Sequence, residues 1–221
     1  MRTSAYQRAC ARRRGLRPAR ATLHLLTPLL LALPMLLCGE IENAHAARTK
    51  IAQVEVIVVD KVREDLTDAV VVTTLGKTEG NNAYLGMPLH QSDGISSEDE
   101  AATIKIVAKA ANGKDISYTL TGPFRVAISR PRDGRIIMDL RAGSIYIESD
   151  EPTKVRVGEQ VAASEATSYS VHVTENGAAP SVETVVYEGA VKVNPGCEQK
   201  AQRVTAGEKL IGGVREPASK I

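Results

Sequence analysis

Few side chains in this chain have the types and spacing for chemistry. Glu148, Asp150 and Glu151 lie within four residues of one another, and a pair of carboxylates is the least that acid–base hydrolysis of a glycosidic bond requires. They adjoin Pro152 at the end of an alternating stretch, where a solvated turn is the simpler outcome. Outside residues 1–46 the histidines are His90 and His172. His172 stands between Val171 and Val173, so it points away from the face those valines bury and belongs on the surface. A catalytic triad needs a nucleophile, a base within hydrogen-bond reach and a third group to orient the base. No Gly-x-Ser-x-Gly elbow, phosphate-cradling glycine loop or His-Glu-x-x-His is present. The acidic run Ser96-Ser-Glu-Asp-Glu100 lacks the alternating ligands and distant glutamate of a calcium loop and reads as a solvated loop. The expectation is therefore no catalytic residue, no metal and no cofactor, which sets aside an enzyme acting on cell-wall polymer.

Binding is the better-supported use of the chain. Arg130, Arg132 and Arg135 gather around Arg130-Pro-Arg-Asp-Gly134, whose Asp-Gly is a favoured hairpin tip. They are candidates for holding an acidic partner, although charges at such a tip are ordinarily just solvated. Sugar recognition favours flat aromatic faces. Of Tyr84, Tyr118, Tyr146, Tyr169, Tyr187 and Phe124, Tyr146 alternates opposite Ile145 and Ile147 and so faces outward, but one tyrosine is not a platform. Open sheet edges, which accept a strand through backbone hydrogen bonds, are a further route.

The elements that must position these residues are strands. A glycine followed by alternating aliphatics recurs in Gly143-Ser-Ile-Tyr-Ile147 and Gly189-Ala-Val-Lys-Val193, with looser copies at Gly158-Glu-Gln-Val161 and Gly207-Glu-Lys-Leu-Ile211. Each copy predicts a corner that uses the positive φ open to glycine, then a short strand burying one side chain in two. Further strands are predicted around Ile51–Val59, Ala69–Leu75, Thr103–Val107, Ile116–Leu120, Phe124–Ile128 and Arg135–Leu140, with corners at Asn112-Gly113 and Gly122-Pro123. Val54–Leu75 would pair as a hairpin across Lys61–Thr67, or that loop would form one helical turn. Ala162–Ala166 is the other place for a helical turn, and Thr174–Pro180 is the longest expected hairpin loop. The fold class expected is all-β, a solenoid-like or twisted β-sandwich module of short strands preceded by an N-terminal signal helix. With 43% apolar but only 3% aromatic residues and no tryptophan, its core must be aliphatic.

Charge and the amino terminus indicate compartment. Of 28 basic and 26 acidic residues, seven arginines and two glutamates lie in residues 1–46, leaving 21 basic and 24 acidic, a net −3. A mildly acidic body without a basic stripe excludes nucleic acid as an expected partner. The arginines precede an apolar run from Ala21 to Cys38, and Ala44-His-Ala46 places small residues where a signal peptidase cuts before Ala47. Residues 1–46 are thus expected to be a secretory signal, cleaved between Ala46 and Ala47, and the body periplasmic or secreted. The rival is an uncleaved inner-membrane anchor, the only membrane contact foreseen; Pro28 and Pro34 interrupt its run. Leu36-Leu37 before Cys38 does not suit lipid attachment, and Arg17 spoils a twin-arginine match at Arg13-Arg14. Cys10 and Cys38 leave with the signal, so Cys197, in the turn sequence Asn194-Pro-Gly-Cys197, is an exposed thiol without an internal disulfide partner.

Five short motifs in order carry a resemblance: Gly86 with Asp93; Leu140-Arg-Ala-Gly-Ser-Ile-Tyr-Ile147; Ala166-Thr-Ser-Tyr-Ser-Val171; Val186-Tyr-Glu-Gly-Ala-Val-Lys-Val193; and Val204-Thr-Ala-Gly-Glu208. In these the chain resembles the FecR domain family of extracytoplasmic modules in bacterial cell-surface signalling. Ala166 stands where that family has glycine, and the loop near Pro180 is long. The resemblance implies an all-β module outside the inner membrane at 54–213, following a linker at 47–53 and ending in a tail at 214–221. Signalling members carry a cytoplasmic helical domain that holds a sigma factor. Here about twenty residues precede the apolar run, too few for a folded domain. The implied function is a non-catalytic module that binds or scaffolds an envelope protein. The alternative is an anchored sensor acting on a sigma-factor pathway with a separate cytoplasmic chain.

Overall fold

β-branched residues and two-residue alternation decide the elements, and the absence of any sustained 3.6-residue apolar period leaves nothing for a helix to use. The computed structural model describes residues 50–130, 135–176, 179–194 and 200–218, all within the compact unit Arg48–Ile221. The expected signal helix, the Ala46–Ala47 cleavage site, Arg132 and Cys197 lie outside the described residues.

No helix occurs among them. The strands are β1 (Lys50–Val59), β2 (Val62–Arg63), β3 (Leu66–Thr73), β4 (Gly80–Tyr84), β5 (Pro88–His90), β6 (Gly94–Ser97), β7 (Thr103–Lys109), β8 (Asp115–Ser129) and β9 (Ile137–Ser149). The second half adds β10 (Thr153–Val157), β11 (Gln160–Ser164), β12 (Thr167–Asn176), β13 (Ala179–Glu188), β14 (Ala190–Asn194), β15 (Gln202–Thr205), β16 (Glu208–Ile211) and β17 (Val214–Pro217).

Backbone pairing joins them into one mixed sheet organised about β8 and β9. These two long strands pair along both of their halves, and each half continues into a different row. One row runs β1–β7–β8–β9–β12–β13–β16–β17 through residues 117–121 and 143–149. The other runs β4–β3–β6–β8–β9–β10–β11–β14–β15 through residues 124–129 and 137–142. The contact of β9 with β10 is parallel, and the other pairings are antiparallel. Alternate residues of both rows enter one buried aliphatic cluster, including Val54, Ile104, Leu120, Val126, Ile147, Val171 and Val191. The largest fully buried side chains are Tyr118, Tyr169 and Phe124, while Tyr84, Tyr146 and Tyr187 are exposed.

The handover between rows depends on Gly143. Its φ of +86° is open to glycine, and a Cβ there would lie 2.3 Å from the Pro123 carbonyl oxygen and 2.8 Å from Phe124 Cβ. Gly189 is similar, with φ +74° and the Ala166 carbonyl oxygen 2.7 Å from an added Cβ. The looser copies at Gly158 and Gly207 also have positive φ, as the glycine pattern predicts.

Several local expectations are corrected by long-range pairing. Ile116–Leu120 and Phe124–Ile128 are halves of one strand, because Gly122-Pro123 makes a bulge and not a corner; the stretches either side of Gly143 are likewise one strand. Val54–Leu75 is not a hairpin: β1 meets only the two residues of β2 there, while β3 pairs with β4 and β6. Neither Lys61–Thr67 nor Ala162–Ala166 forms a helical turn, and the latter lies largely in β11. Thr174–Pro180 is mostly paired strand, through Asn176↔Ala179, and not a long loop. β1 begins inside the expected linker 47–53, and β17 falls in the expected tail 214–221.

Candidate functional site

The motif residues of the turns prove to be fasteners. Asp93 is 1% exposed; its carboxylate accepts the His90 amide at 2.7 Å, and its carbonyl accepts Ile128 N–H at 3.0 Å, tying the β5–β6 turn to β8. Glu208 accepts both the amide of Thr205 at 2.8 Å and its hydroxyl at 2.9 Å. Those bonds, the backbone one foremost, hold its carboxyl below the usual carboxylate range.

Of the carboxylates weighed for acid–base work, Glu151 is not poised as a general acid. Glu151 is held below the ordinary carboxylate range by a hydrogen bond from Asn112 and by Lys114, whose ammonium lies 3.3 Å away. A general acid at neutral pH needs the opposite displacement. In the acidic run, Ser97 is buried and donates to the Ala69 carbonyl at 2.7 Å, Asp99 accepts the Ala101 amide at 2.7 Å, and Glu98 pairs with Arg125 at 3.3 Å. That segment is a structured turn.

One pair escaped the sequence reading. His172 is exposed, as its alternation predicts, but β9–β12 register sets it opposite Ser144, with Ser144 Oγ and His172 Nδ1 2.5 Å apart. A base beside a hydroxyl is the start of a nucleophile site. Glu183 lies opposite His172 on β13, yet its carboxylate is 3.8 Å from Lys209 Nζ. On the β12 side the pairing is continuous through Ser144, whereas on the β8 side it ends at Thr121↔Ser144, next to the Gly122-Pro123 bulge. Only the register, which spacing does not reveal, brings this pair together. On the same outer face Tyr146 and Tyr187 meet edge to face with ring centroids 5.7 Å apart, and Ser170 Oγ lies 3.2 Å from the Tyr187 hydroxyl.

Of the three arginines expected around the β8–β9 tip, Arg130 and Arg135 are among the described residues. Arg130 donates from Nη2 to the Lys109 carbonyl at 2.6 Å, closing the end of β7. Arg135 borders a recess of about 220 Å³ with Asn112, Ile136 and Glu151.

Open edges give a clearer surface. Among the described residues, β4 pairs only with β3, β15 only with β14 and β17 only with β16. Beside the β4 edge, Leu66 (59% exposed) and Tyr84 (43%) stand opposite each other across the β3–β4 pair, while their neighbours Thr67 and Ala83 point inward. Leu85, also exposed, is held next to them by its amide bond to the Asp65 carbonyl at 2.8 Å. Comparison of the chain with protein-family models, with curated proteins and with solved structures finds no match in any of the three.

Proposed function

We propose that this chain is a non-catalytic, extracytoplasmic FecR-like module that binds another envelope protein along the free edge of β4. The observation that carries the reading is the coincidence of an unpaired strand edge with exposed Leu66, Tyr84 and Leu85. A partner strand added there gains backbone hydrogen bonds, and the apolar side chains supply specificity. Edges left bare are a liability that soluble proteins usually blunt with charge or proline. Neither guards β4, whose sequence is Gly-Asn-Asn-Ala-Tyr.

The compartment rests on the arginine-rich start, the apolar run and the small residues at Ala44 and Ala46. The FecR-like reading rests on the five ordered motifs, whose Asp93, Gly143, Gly189 and Glu208 each hold a turn or bend, and it takes the two strand rows to close on each other as a twisted β-sandwich. The lowered Glu151 carboxyl, the reverse of what a general acid needs, supports a binding role over hydrolysis.

A photo-crosslinking residue at Asn82, on the β4 edge, tests the reading in intact cells. The expected result is one protein adduct that disappears in the Leu66→Lys/Tyr84→Lys variant while the fold melts within about 1 kcal/mol of the parent, as surface changes do. No adduct, or one indifferent to both substitutions, overturns it.

A further inference from the structure

On the outer face of the second row, small residues and cations make a second surface, separate from the β4 edge. Gly94 and Ala127 are register partners on β6 and β8 and leave a floor without bulk. The turn after β3 rises beside it, closed by the Lys77 amide bonding the Thr74 carbonyl at 3.0 Å, and encloses a depression of about 420 Å³. Lys77, Arg125 and Arg141 line it together with the hydroxyl residues Thr73, Ser92 and Ser96, and no acidic residue does.

The charges there are poorly balanced. Arg141 is the extra residue of the β9 bulge, beside Ala142, the register partner of Arg125, and both guanidinium-bearing residues line the same hollow. Arg125 has Glu98, 86% exposed, at 3.3 Å. Arg141 and Lys77 have no acidic partner among the described residues. Elsewhere on the sheet some outward cations are matched, as Lys105 is with Glu55 and Arg156 with Asp139, while Lys192 and Arg203 stand singly among the described residues. A body with net charge −3 beyond residue 46 has thus gathered three cations over one hollow.

We propose that this depression binds a phosphate-bearing ligand. The planar forks of Arg125 and Arg141 suit bidentate contact with phosphate oxygens, Lys77 adds a point charge from the turn, and the hydroxyls donate to remaining oxygens. The volume is that of a small-ligand site. A phosphate can come from a soluble monoester or from an anionic lipid headgroup, and the recognition chemistry is shared.

Calorimetric titration of the full chain with inorganic phosphate and with glycerol 3-phosphate tests the soluble source. Co-sedimentation with phosphatidylglycerol vesicles against phosphatidylcholine vesicles tests the lipid source. Saturable binding in either arm is expected, weakened about tenfold by Arg141→Gln and less by Arg141→Lys, which keeps the charge but loses the fork. Lys77→Gln, on an exposed turn, is expected to weaken binding with no change in thermal melting and serves as the second variant. Binding in the soluble arm identifies a monoester; binding to the anionic vesicles alone identifies a headgroup. Vesicle association unchanged by Arg141→Gln and Lys77→Gln would come from the apolar run 21–38 and overturn the proposal, as would no saturable binding in either arm.

Discussion

The bend shared by β8 and β9 and the turn between β7 and β8 are written in the same way, a glycine at positive φ between alternating strands, yet they differ in what surrounds the glycine. Gly143 has φ +86° with backbone and side-chain atoms closer than 3 Å to where a Cβ would sit; Gly113 has φ +85° with open space around it. One position needs glycine for conformation and room, the other for conformation alone. Local pattern reports the first requirement, and only the packing of distant strands creates the second.

The largest effect is expected from Gly143→Ala, which adds steric overlap with Pro123 and Phe124 to left-handed strain. It should cost roughly 2–4 kcal/mol, read as a fall in Tm of roughly 5–15 °C. A loss equal to that of Gly113→Ala would break the contrast. Next comes the buried centre's response to alkali. Burial, eased by hydrogen bonds from Thr153 and Ser164, pushes the Tyr169 hydroxyl up to about 12, and burial raises Tyr118 further still. An unfolded tyrosine ionises near 10, so the folded state keeps the proton that the unfolded state gives up. The stability from these groups is complete below pH 10 and declines as pH rises from 10 towards about 12, by roughly 1.4 kcal/mol per unit for each tyrosine. Denaturant melts at pH 9 and pH 11 should show the drop, reduced in Tyr118→Phe. The smallest effect is expected at the rim: Gly113→Ala should cost about 1 kcal/mol, the price of the left-handed backbone alone.

The two tyrosines sharpen the same lesson. The Tyr169 hydroxyl lies 3.1 Å from Thr153 Oγ1, itself 2.7 Å from Ser164 Oγ, whereas the Tyr118 hydroxyl has no partner among the described residues. Both alternate with inward aliphatics, so their burial was readable from Ile116-Ser-Tyr118 and Tyr169-Ser-Val171. Which one would meet hydroxyls was not, because Thr153 and Ser164 arrive from β10 and β11. The candidate surfaces were legible to a similar degree. The value of a free edge was foreseeable, but that β4 would be one, with Leu66 opposite Tyr84, was not. His172 was readable as exposed; its partner Ser144 was hidden in the register.

By itself the chain's order of residues determined that strands would form, where glycines would turn them, that the core would be aliphatic, and which side chains alternate inward, since these follow from neighbours two residues apart. Only the tertiary structure decided that Gly122-Pro123 and Gly143 bend two continuous strands instead of ending them, which edges stay open, and that Lys77, Arg125 and Arg141 share one hollow. Those outcomes depend on pairings across tens of residues, and the alternating code is the same for every pairing that keeps the apolar face inward.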